Sequence, residues 1–66
     1  MKIKIIKKPF YSSNKIWFTI TLFQTEEDWI KGKGIRIAKA KSEGVASIIA
    51  NSLQEYYNHY YCLYIS

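Results

Sequence analysis

With a single cysteine, Cys62, the chain has no internal disulfide to staple it. That usage suits a reducing, cytoplasmic setting, with a dimer linked through the lone thiol as the rarer use. The longest run without charge or strong polarity, Ile16 to Phe23, falls far short of the roughly 20 apolar residues that cross a bilayer. The opening MKIKIIKKPF has neither the apolar stretch nor the small-residue cleavage site of a secretory signal. A soluble cytoplasmic chain without a membrane partner is therefore expected. Proline and glycine are scarce, at one and three residues, while 48% of the chain is hydrophobic and 17% aromatic, which excludes a disordered tail. Arginine occurs once, as Arg36, and neither lysine nor arginine follows Lys41.

Sixty-six residues make one domain, 1–66, and a chain of this size buries only about 60% of its unfolded surface, so its core has to be dense. The net charge of +5 is unevenly spread. All ten basic residues lie at or before Lys41 alongside Glu26, Glu27 and Asp28, whereas Glu43 and Glu55 are the charged residues beyond it. A chain polarised in this way presents a positive front built from its first two thirds.

Met1 to Lys8 alternates, with Ile3 and Ile5 on one side and Lys2 and Lys4 on the other, and reads as a half-buried strand ended by Pro9. Ser12-Ser13-Asn14 supplies turn-stabilising acceptors. Lys15 to Thr25 reads as the central strand, with Ile16, Phe18, Ile20 and Leu22 on one face and Trp17, Thr19, Thr21 and Phe23 on the other. Thr25 followed by Glu26-Glu27-Asp28 has the form of a helix N-cap with acids in the first turn, and Gly32 is placed to close one short turn. Gly34 to Lys41 predicts a third strand, with Ile35 and Ile37 inward and Arg36 outward. Ser42 then caps an amphipathic helix whose inward stripe is Val45, Ile48, Ile49, Ser52, Leu53, Tyr56 and Tyr60. Residues 60–65 either continue that helix or add a fourth strand. The expected fold is α+β: a three-stranded antiparallel sheet with one C-terminal helix on one face.

The sheet face away from the helix would carry Lys2, Lys4, Trp17, Thr19, Thr21 and Arg36, rimmed by Lys7, Lys15, Lys33, Lys39 and Lys41. Cations there neutralise phosphates, while threonine and tryptophan contact sugar or bases. The expected activity is binding of nucleic acid, duplex DNA in particular. The order β-β-β-α, with KIWFTITL as central strand and GKGIRIAKAKSEGVASIIANSL as strand, cap and helix, resembles AP2-type domains and the arm-binding domains of phage-type integrases. That resemblance implies a sheet laid in the major groove with the helix on the far side, Trp17, Thr19 and Arg36 on the reading face, and Ser42 and Glu43 at the strand-to-helix junction. A weaker resemblance, carried by MKIKIIK and the Tyr-rich end of the helix, is to HicB-like antitoxin domains, and implies binding of a protein partner.

Tyr56, Tyr57, Tyr60, Tyr61 and Tyr64 are many rings for so small a chain, and with Trp29 they read as a protein interface. A homodimer through this end is the simplest assembly. A host or cognate protein bound by a phage- or mobile-element-encoded inhibitor is the alternative function. His59 and Cys62 are one helical turn apart, but two such residues neither close a metal shell nor make a catalytic site without a third group. No enzyme, cofactor or metal is expected.

Overall fold

The computed structural model describes residues 2–8 and 17–66; Met1, Pro9, the Ser12-Ser13-Asn14 turn, Lys15 and Ile16 lie outside them. Along the chain run β1 (Lys4–Lys7), β2 (Phe18–Phe23), α1 (Glu26–Lys31), β3 (Ile35–Ala40), α2 (Glu43–Leu53) and β4 (Cys62–Ile65). The four strands form one mixed sheet in the order β1-β4-β2-β3. β4 is antiparallel to β2 and parallel to β1, and β2 is antiparallel to β3. The expected three-stranded antiparallel sheet is thus corrected. The C-terminal segment inserts between the first two strands, and a short second helix precedes β3.

Local chemistry sets the element ends. Thr25 Oγ1 accepts from the Asp28 amide at 3.1 Å, and Glu26, Glu27 and Asp28 occupy the positive end of α1. Gly32, at φ 71°, ends α1 in the left-handed conformation that a side chain disfavours. Ser42 Oγ accepts from the Val45 amide at 3.2 Å and starts α2. After Leu53 the chain makes tight turns through Tyr57 and Tyr60, and the Tyr61 amide donates to the Phe23 carbonyl at 3.0 Å, leading into β4. The tyrosines assigned to the end of the helix therefore lie in this connection or in β4.

The core lies between α2 and one sheet face. Ile3, Phe18, Ile20, Leu22, Ala40, Leu63 and Ile65 meet Ala46 and Ala50, with Ile49 and Leu53 packed at the margin. Ile20, Leu63 and Ile65 are fully buried, each contributing roughly 1.5–3 kcal/mol. The expected inward stripe of α2 is rotated: Ala46 and Ala50 touch the sheet, whereas Val45 and Ile48 stand outside. The alanines lack the side-chain bulk that would hold the helix away from the strands, so the larger residues flank the contact. The flank carrying Glu43 and Gln54 faces β1, because Lys7 pairs with Glu43 at 4.0 Å and Gln54 Nε2 donates to the Ile3 carbonyl at 3.1 Å.

Candidate nucleic-acid interface

The strand registers place Ile6, Tyr64, Thr21 and Arg36 in one row across the sheet face opposite α2. Lys4, Cys62 and Phe23 form the next row. At the other end, Thr19 lies opposite Lys39 and exchanges two backbone hydrogen bonds with Ser66, at 2.8 and 3.0 Å. The alternation expected for β2 therefore holds, with Thr19 and Thr21 on this face.

α1 divides the face in two. Trp29 packs edge-on against Phe23 at 5.0 Å and Tyr64 at 5.2 Å, with Tyr61 at 6.5 Å. Lys4 Nζ sits 4.8 Å from the Tyr61 ring centre. This aromatic cover leaves Cys62 fully buried; burial pushes its thiol pKa up, and the Lys4 ammonium pulls it partly back. Gly34 makes the corner fit, because Thr21 Cγ2 and the Phe23 ring occupy the space a side chain there would need.

The other half is open. Thr19, Arg36, Ala38 and Lys39 line a shallow depression. Beside it Trp17 is 42% exposed, with Lys39 Nζ 4.8 Å and Lys41 Nζ 5.4 Å from its ring. Such contacts are worth about 0.5–1 kcal/mol at exposed sites and hold the ring and the two cations together.

The carboxylates do not neutralise this region. Glu55 pairs with Lys2 at 3.6 Å, Glu43 with Lys7 at 4.0 Å and Glu27 with Lys31 at 2.6 Å. Among the described residues, Lys4, Lys8, Lys33, Arg36, Lys39 and Lys41 have no carboxylate within ion-pair distance. Four of these lie along β3 and its ends. From Lys33 to Lys41 the chain spans roughly 26 Å, the axial length of seven or eight phosphates of one duplex strand.

The structure thus brings Trp17, Thr19, Arg36, Lys39 and Lys41 together, with Thr21 adjacent and Lys33 further along the same strand. Lys4 lies across the aromatic cover at the opposite edge, and Lys2 is turned to Glu55 beyond the end of α2. Sequence reasoning missed Lys8, whose amide donates to the Ile65 carbonyl at 2.9 Å and which continues the alternation of Lys4 and Ile6. The sign of this was the break in the pattern at Ile6, which turns Lys7 toward α2.

The expected protein interface is dispersed. Trp29, Tyr61 and Tyr64 cover the sheet, Tyr57 and Tyr60 pack against the core margin, and Tyr56 is largely exposed. His59 is exposed in the connection, its ring tilted against Tyr60 at 4.2 Å, while Cys62 is buried in β4. Among the described residues, no three His, Cys, Asp or Glu side chains converge as a metal site, and no helix is long and apolar enough to cross a membrane. No family model, curated protein or solved structure matches the chain.

Proposed function

We propose that the chain binds nucleic acid, with duplex DNA as its ligand, through the open half of the face opposite α2 and the basic β3 edge beside it. The observation that carries this reading is the line of cations from Lys33 to Lys41, left without carboxylate partners among the described residues. In this reading Lys33, Arg36, Lys39 and Lys41 contact phosphates spaced along the backbone. Trp17, Thr19 and Thr21 reach the sugar edge or the groove, and Lys4 and Lys8 raise the local positive potential. A lysine-dominated edge with one arginine favours backbone contact over base readout, so affinity depends weakly on sequence. The role is binding without catalysis.

Fluorescence-anisotropy titration of a duplex of about 20 base pairs tests this. Four phosphate contacts lose about a hundredfold in affinity between about 50 and 200 mM salt, and replacing Arg36, Lys39 and Lys41 by Ala reduces that loss to a few-fold. These side chains are exposed, so the triple variant keeps its fold. Absence of binding at the lower salt overturns the proposal.

A further inference from the structure

The basic face ends in an arrangement that a continuous duplex does not use in full. Arg36 and Lys39 are three residues apart, which in a regular strand sets them on opposite faces. The irregularity between Ile20 and Thr21 puts both on the face opposite α2, Arg36 across from Thr21 and Lys39 across from Thr19. Thr19, Arg36 and Lys39 thereby converge around the shallow depression. Trp17 stands two residues before Thr19, roughly 7 Å away along an extended chain. Lys39 joins the two places, since it lines the depression and its Nζ lies 4.8 Å from the indole. Two cations and a hydroxyl, with an exposed aromatic ring one step away, match the phosphate and base of a single nucleotide.

We infer, resting on the nucleic-acid reading, that this end of the site holds one unpaired nucleotide, and that the preferred ligand is a DNA duplex carrying a single-stranded overhang. The phosphate of that nucleotide meets Thr19, Arg36 and Lys39, and its base stacks on Trp17. A paired base cannot take this position, because its neighbours cover its faces and only its edges reach the grooves. Extruding it would cost its pairing and stacking, which an overhang has already given up. Without ligand, Lys39 and Lys41 rest against the indole. An incoming phosphate draws their ammonium groups away and opens the ring to the base. A wholly single-stranded ligand fits less well, since such binding uses rings for successive bases. On this half of the face Trp17 is the exposed ring among the described residues, because Trp29, Tyr61 and Tyr64 are packed together on the other half. Lys33, at the far end of the cation line, is left to the duplex backbone.

The test is fluorescence anisotropy at about 50 mM salt with labelled DNAs. They are a blunt duplex of about 20 base pairs, the same duplex with an overhang of about three nucleotides in either polarity, and a single strand of the same length. One stacked base makes the better overhang duplex bind about fivefold or more tightly than the blunt one. The single strand binds more weakly than that overhang duplex. Trp17→Ala brings the overhang-to-blunt ratio close to one, Trp17→Phe keeps part of it, and Lys33→Ala weakens both duplexes alike with the ratio intact. The comparison within the parent protein needs no variant, so it decides the matter even if Trp17→Ala does not fold. Equal affinity for overhang and blunt duplexes, a single strand bound as tightly as the overhang duplex, or a ratio untouched in folded Trp17→Ala overturns the inference and leaves the nucleic-acid reading standing. Absence of binding to every one of these DNAs overturns that reading, and the inference with it.

Discussion

Gly34→Ala examines the corner on which the β2–β3 register depends. A methyl group there runs directly into Thr21 Cγ2 and stands 2.9 Å from Phe23 Cε1 and Cζ. Neither neighbour yields easily. Thr21 is β-branched with a restricted χ1, and the Phe23 ring is packed edge-on under Trp29 at 5.0 Å. Overpacking of this kind costs about 1–3 kcal/mol, and the reduced freedom of the unfolded chain returns about 0.4–1 kcal/mol. A net loss of about 1–2 kcal/mol lowers Tm by roughly 5–15 °C in a domain this small. Thermal and urea denaturation followed by circular dichroism measure it. Adding Thr21→Ala removes the nearer obstacle, so the double variant is more stable than the sum of the single effects, with a favourable coupling of about 0.5 kcal/mol or more. A Gly34→Ala protein as stable as the parent would refute the packing described for this corner.

Gly44, in the first turn of α2, has open space where a methyl group would stand, with nothing within 4 Å, so Gly44→Ala stabilises by about 0.5–1 kcal/mol in the same assays. Cys62, buried under Trp29 and Tyr61, reacts with a thiol reagent at neutral pH no faster than the protein opens, and at full speed in denaturant. Its raised pKa also has a stability consequence. The folded state holds the thiol proton to higher pH than the unfolded chain, so this contribution is complete below about pH 8.5 and declines as pH rises further toward the folded pKa. Urea unfolding from pH 7 to 10 shows a shallower decline for Cys62→Ala than for the parent.

What the sequence disclosed, it disclosed through short-range chemistry. Thr25 with three following acids and Gly32 marked both ends of α1, Ser42 marked the start of α2, and the strict alternation from Phe18 to Leu22 assigned the faces of β2. The rotation of α2 was hidden because hydrophobicity ranks Val45 and Ile48 above Ala46 and Ala50, whereas close approach to a sheet favours the smaller side chains. The position of β4 was hidden for a different reason. Cys62-Leu63-Tyr64-Ile65 is too short for a period, and its insertion between β1 and β2 rests on pairing between distant parts of the chain. From the basic cluster, Thr19, Arg36 and Lys39 were legible because they share one strand pair, and Trp17 because it continues the alternation of β2 by one step. Lys2 was not, because its partner Glu55 lies beyond the far helix.

Whether the open half of the face opposite α2, with the β3 edge, carries nucleic acid is decided most directly by NMR. A DNA duplex is titrated into isotopically labelled protein at about 50 mM salt, with amide and indole resonances followed. Progressive shifts are predicted at Thr19, Arg36, Lys39 and the Trp17 indole, with Ala46, Ile48 and Ala50 unmoved. Shifts centred on α2 or Tyr56, or a spectrum that does not change, would contradict a nucleic-acid interface on this face.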